Sequence, residues 1–406
     1  MRKLGFIYKY IDQFFFSLLN VGTIAFVSKY LSSELAAKYI LINTYASFSL
    51  IVVVALVITP FWVHSANRQT DNFLFGVKFA INLSLFTGVI ISVLYIFKQN
   101  GSYRDVIQII LVSISYPMYD FLRRTLYVEN KEVISAITTV ILSIFIALGY
   151  LLLYINGTTS YQPYVYLLAL GLSLASLALF VCNFIIRKTD KEKEMEQEKE
   201  QYYHKVKEYF VYGRWSAISM ICFWLSTQGL FVFLYGKISD DELVVSRLCL
   251  SLTGIISIYF ASIENKLMPQ LRRAYIADDI NYIKTQWLKY WRNGLSISIP
   301  LSILIYGIYI FYYGENFKYS ITFALLALYQ ILTGVFKYYA YVLKSAQRHK
   351  ETFYSNLFGV VLTYLLACAF LFTAQNIIAL MILVNGILCS IAYYFFLRKD
   401  GVLNEK

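Results

Sequence analysis

Charge is what this sequence has least of. Asp, Glu, Lys and Arg together make up 15% of the chain, against roughly 25% in soluble globular domains. So few ionic groups cannot coat a water-exposed surface of ordinary size, which excludes a soluble protein. Histidine is almost missing. His64, His204 and His349 stand far apart at the ends of apolar runs and make neither a metal cluster nor part of a catalytic triad. The five cysteines, Cys182, Cys222, Cys249, Cys368 and Cys389, lie inside apolar segments without metal-ligand spacing, and read as small buried hydrophobes. The phosphate-cradling loop GxxxxGK followed by Ser or Thr does not occur, so ATP hydrolysis by such a loop is excluded. No aromatic-basic RNA motif and no DNA-binding module appears, which leaves nucleic acid out as a partner. Nothing here implies a cofactor, a metal or an enzyme.

What is present is apolar length. Hydrophobic residues make up 59% of the chain and its mean hydropathy is +0.58. Stretches long enough to cross a bilayer as helices, about 20 residues each, fall at 7–26, 39–63, 74–96, 106–127, 133–154, 164–186, 209–235, 243–262, 291–313, 321–341, 353–372 and 377–396. They are continuously apolar, without the ten-residue alternation of a membrane barrel. The first carries Asp12, Gln13 and Asn20, lacks an A-x-A site and leads straight into the second, so it is not a cleaved signal. The spacing predicts an all-α polytopic membrane protein of twelve helices, in two six-helix bundles around a central cavity. The N-terminal bundle is 1–187, a charged cytoplasmic linker is 188–207, and the C-terminal bundle is 208–406. The linker reads as solvated and partly helical through its Lys and Glu spacing.

Lys and Arg set the orientation. With the N-terminus inside, outer loops hold only Lys29, Lys38, Lys98, Arg104, Lys237 and Lys318. The inner side holds the linker and such residues as Arg2, Lys3, Arg68, Arg123, Arg124, Arg272, Arg273, Arg348 and Arg398. By the positive-inside rule both termini are cytoplasmic. The net charge of +12 then reflects topology and contact with anionic membrane lipids. The halves repeat faintly: KYLSSELAA at 29–37 aligns with KISDDELVV at 237–245, an offset of 208 that also matches Glu34 with Glu242 and Asn20 with Gln228. Two bundles of like topology describe an alternating-access transporter.

Polar residues inside membrane helices are expensive, a central charge costing roughly 2.5–3.5 kcal/mol on insertion scales, so each needs a wet cavity or a partner. Arg247 lies about a turn inside the outer end of its helix, where cations are scarce, and Lys38 is one residue from the matching place in the first half. Two such cations would bind an anion such as phosphate, Arg through a bidentate fork. Snorkelling to headgroups is the alternative. Asn20 and Gln228 are candidates for the cavity wall or for helix-to-helix hydrogen bonds. Asp120, Arg123, Arg124 and Tyr127 follow i, i+3, i+4, i+7 spacing on one face near the inner end. Lys337, Tyr341 and Lys344 share another face, and Arg214 opens the seventh helix. Arg123, Arg124, Arg214 and Lys337 are further cavity candidates, with ordinary inner-end topology as the alternative.

Twelve spans, a linker after the sixth and paired bundles resemble the MOP flippase superfamily. Within it the segments DQFFFSLLNVGTIAFVSKYLSSELAAKY (12–39), RRTLYVENKE (123–132) and YGRWSAISMICFWLSTQGLFVFLYG (212–236) look like the Wzx-type O-antigen and polysaccharide-repeat flippases. The resemblance implies a protein of the bacterial inner membrane that moves an undecaprenyl-pyrophosphate-linked oligosaccharide to the periplasmic leaflet during lipopolysaccharide or polysaccharide biosynthesis, in contact with other polysaccharide-assembly proteins. It also implies cation coupling, for which Asp12 is the candidate carboxylate. Two other classes stay open. A MATE-type cation-coupled small-molecule exporter shares the architecture and favours buried acids over buried bases. A glycosyl polymerase or ligase carries a large outer loop, and the outer loops here are short.

Overall fold

A computed structural model describes residues 2–66, 73–99, 101–188, 198–314, 317–346, 348–370 and 376–399. The loop holding Arg68 and the middle of the linker, 189–197, lie outside them. The helices are α1 (Arg2–Tyr30), α2 (Ser33–Val53), a π-helical turn (Val54–Ile58), α3 (Thr59–Ala66), α4 (Phe73–Gln99), α5 (Tyr103–Val128), α6 (Glu132–Ile155), α7 (Gln162–Lys188), α8 (Glu198–Leu234), α9 (Asp240–Ile276), α10 (Ile280–Tyr313), α11 (Phe317–Ser345), α12 (His349–Phe370) and α13 (Ile377–Lys399). Twelve spans are long and apolar enough to cross a membrane, with α2, the π turn and α3 contributing to one. Large hydrophobics such as Phe97 and Phe311 stand out from the surface, as lipid contact demands.

The chain divides into two compact units, 1–221 and 222–406, so that α8 carries residues of both. In the first unit α5 is the hub: it packs against α2, α4, α6 and α7, while α1 lies along α6. In the second unit α11, likewise the fourth span, packs against α9, α10, α12 and α13. The faint sequence repeat thus has a packing counterpart. Among the described residues the largest difference is the pair of α1 with α6. Its positional equivalents, α8 and α12, meet through Tyr364, which donates to the Leu225 carbonyl at 3.0 Å and sets its ring against Phe233.

Local chemistry explains several boundaries. Ser102 and Asp105 form a capping box that starts α5, satisfying two otherwise orphaned amide donors. Asp105 also accepts from Tyr95 of α4 at 3.1 Å and from Tyr161 at 2.6 Å. The π turn precedes Pro60, and Thr59 donates its hydroxyl to the Val54 carbonyl at 2.8 Å. The widened turn brings the Ala55 carbonyl against α8, where a Cβ on Gly213 would lie 2.6 Å from that oxygen. Only glycine fits so close an approach.

Three helices run beyond their apolar spans, α8 into the linker expected to be partly helical. α8 begins at Glu198, so the end of the linker is helical. It rests on α4: Asn82 donates to the Tyr202 hydroxyl at 3.3 Å, and the Tyr202 ring meets Phe75. α9 has 37 residues and α10 has 34. At 1.5 Å per residue these reach about 55 and 51 Å, well past a hydrocarbon core of about 30 Å. Their joining turn is capped by Asp279, which accepts from the Tyr282 amide at 2.9 Å, and Arg272 donates to the Ser345 carbonyl that ends α11, at 2.7 Å.

Candidate functional site

The densest polar cluster lies in the first unit, where α1, α5 and α6 meet. Asp12 on α1 is completely buried. Its carboxylate accepts from Arg123 Nη1 at 3.1 Å and Ser135 Oγ at 2.9 Å, and from the hydroxyls of Tyr127 and Thr139. Because Thr139 donates to a carboxylate, its 2.5 Å contact with Tyr119 has the tyrosine as donor. Asp120, buried on α5, accepts from Arg123 Nε at 3.0 Å and Nη2 at 2.7 Å, and from Arg124 Nε at 2.9 Å. Arg123 Nη2 also reaches Gln13 at 3.3 Å, and the guanidinium lies 3.9 Å above the Phe16 ring. At the rim Lys9 pairs with Glu132 at 3.0 Å. Two aspartates thus face two arginines, and the cluster as it stands has no net charge to offer an anion. Its chemistry is to hold three helices together. Such a cluster is costly to break, because removing one partner leaves a buried charge uncompensated.

Asp12, the carboxylate expected to couple an ion, here has its oxygens already serving four donors. Arg123 is inaccessible. Arg124 is partly exposed and stands 5.5 Å from the Trp62 ring centre. Arg214 is exposed on α8, beside the Trp215 ring, and Lys337 is half-buried on α11 next to Tyr341.

The second unit brings two expected residues together. Arg247 on α9 donates through Nη1 to the Gln228 side chain on α8, and its guanidinium sits 5.5 Å from the Phe231 ring centre. An amide oxygen and a ring face orient the group. In the first unit Asn20 donates to the Phe16 carbonyl at 3.3 Å and accepts from Tyr116 of α5. Asn20 and Gln228 therefore occupy matched positions with unlike partners. Lys38 pairs with Glu34 on the helix surface at 2.6 Å. The residue at Arg247's own register in the first half is Tyr39, which is buried and shares a 2.8 Å hydrogen bond with Tyr150.

Ser135 and Thr139, which complete the shell of Asp12, were missed by sequence reasoning. Their signal was available: Ser135, Thr139 and Ser143 recur every four residues along a largely apolar helix.

No protein-family model and no curated protein matches the sequence. Solved structures do match in fold. An inward-facing multidrug-resistance MATE family transporter of the MOP superfamily superposes with a TM-score of 0.67 at 12% identity, over 95% of this chain and 94% of the other. The lipid II flippase MurJ, in an inward closed conformation, gives 0.67 at 16% identity over 97% and 87%. A eukaryotic MATE transporter gives 0.63 at 17% identity over 100% and 96%. The chain is an all-helical, multi-pass membrane protein with the fold shared by MATE transporters and MurJ. These neighbours are transporters and flippases.

Proposed function

We propose that this chain is a flippase that carries a polyprenyl-pyrophosphate-linked saccharide repeat from the cytoplasmic to the periplasmic leaflet of the bacterial inner membrane. Such cargo combines a pyrophosphate anion, a bulky polar sugar and an apolar tail. The observation that carries the reading is Arg247. It is a guanidinium inside a membrane span, aimed by Gln228 and Phe231, and its planar fork suits phosphate oxygens. Likeness to MurJ supports a lipid substrate. Arg247→Ala should abolish surface-glycan display in a flippase-null strain at unchanged protein abundance, and Arg247→Lys should retain part of it, since charge survives and the fork does not. Normal display with Arg247→Ala would return Arg247 to a headgroup anchor.

A small-molecule exporter is the second reading, favoured by an equally good superposition on a MATE transporter. For that cargo Arg247 has no anion to hold, and its replacement would leave export of an organic cation intact.

A further inference from the structure

α10 packs on α9 and α11 and buries Ile283, Tyr290, Gly294, Ser298 and Ile305. Its other side is bare. Lys289, Arg292, Ser296, Ile299 and Ile303 are all exposed, and their spacing of three and four residues puts them on one face. Ile299 and Ile303 belong to the apolar span, where an exposed isoleucine meets lipid tails. Lys289 and Arg292 carry the same face on toward the start of the helix.

Two aromatic belts fix the depth. Tyr306, Tyr309 and Tyr313 stack at one end of α10. Trp287 and Trp291 stack at the other, and Trp291 is 41% exposed. Tyr and Trp collect at the two membrane–water interfaces. Arg292 stands 21 residues from Tyr313, about 32 Å of helix, which is close to the hydrocarbon thickness of about 30 Å. Lys289 is about 4.5 Å further out. Both cations are therefore level with lipid headgroups, at the end that the placement of Lys and Arg makes cytoplasmic.

α10 holds Lys284, Lys289 and Arg292 and no Asp or Glu, and α11 holds no acid either. Lys289 and Arg292 make no ion pair among the described residues. The nearest acids in sequence, Asp278 and Asp279, close the preceding turn, about 15 Å along the helix from Lys289. Glu264 of α9 lies outside the described side chains. We propose that Lys289 and Arg292, with Trp291 beside them, bind the phosphate of an anionic phospholipid in the bordering leaflet. The guanidinium fork takes two phosphate oxygens, and the ammonium adds a point charge. The stripe repeats the order of parts in a phospholipid: cations for the phosphate, the Ser296 hydroxyl at the depth of the ester groups, and isoleucines along the acyl chain. A soluble acidic partner would match the cations and leave the isoleucines in lipid. Headgroup binding at this face needs no cargo, so it stands whichever cargo the chain carries.

The test is quenching of tryptophan fluorescence in the full chain, reconstituted into phosphatidylcholine bilayers that contain brominated phosphatidylglycerol or, in parallel, brominated phosphatidylcholine. The Trp291 signal is the difference between wild type and Trp291→Phe. The anionic lipid should quench it more strongly. A cation near an anionic membrane surface gains about five-fold in affinity, so Lys289→Gln combined with Arg292→Gln should weaken phosphatidylglycerol relative to phosphatidylcholine by about 25-fold. Both side chains are exposed, and should the double variant fail to fold, either single variant decides with a loss of about five-fold. Equal quenching by the two lipids in wild type would overturn the proposal, as would a preference for the anionic lipid that survives the substitutions.

Discussion

Arg123 spends all three of its side-chain nitrogens on the fold: Nε and Nη2 on Asp120, Nη1 on Asp12 and Nη2 again on Gln13. Arg123→Ala would leave buried Asp12 without its arginine and Asp120 with Arg124 alone, and should destabilise the protein by about 3–5 kcal/mol, read as a lowered Tm in detergent. Arg123→Lys should fall between, having charge without the fork. Lys38→Ala, on an exposed pair, should leave Tm unchanged; equal losses at both positions would show that the buried cluster is no more important than a surface contact. At this scale the sequence was half legible. The shared face of Asp120, Arg123 and Arg124 follows from helical spacing, and the structure joins those side chains. That Asp12 is the second partner was not legible, because the two residues are 111 apart in sequence and only the packing of α6 against both α1 and α5 brings them together. Likewise, Arg247 and Lys38 are one register apart, and a one-residue offset on a helix turns a side chain by about 100°. Lys38 therefore lies on the surface and Tyr39 in the core.

At the scale of the element, α8 is the helix whose description changes most. A stretch of linker rich in Lys and Glu reads as a solvated, partly helical connector; its last turns are helix, and beyond that expectation Tyr202 and Tyr209 lay their rings on Phe75 of α4. Aromatic anchors in a charged segment were the overlooked signal. The ends of α9 and α10 were underestimated for a related reason: hydropathy marks where a helix leaves the bilayer, not where it stops. Further along α8, Gly213 seats that helix on the π turn. Gly213→Ala would force a Cβ into the Ala55 carbonyl, an overpacking that costs typically 1–3 kcal/mol. Gly307→Ala, where a Cβ meets nothing within 4 Å, is the matched control in a Tm measurement. Equal Tm for the two variants would mean that α8 does not rest on that turn.

For the whole molecule, twelve spans were legible because each needs only an unbroken apolar run, and a bilayer imposes the length. The sidedness of those spans is a prediction from Lys and Arg placement. A reporter fused near Gly157 should be active outside and one at Lys193 inside; the reverse pattern would invert every depth assignment, including that of Arg247. The cargo was not legible from composition, since a flippase and a MATE transporter share this fold at equal TM-score. The most direct test is therefore transport by the purified chain in proteoliposomes, offered a polyprenyl-pyrophosphate-linked oligosaccharide and, separately, a lipophilic organic cation. The account predicts transbilayer movement of the lipid-linked saccharide, lost in Arg247→Ala, and no accumulation of the cation. Accumulation of the cation with the saccharide left in its original leaflet would contradict it.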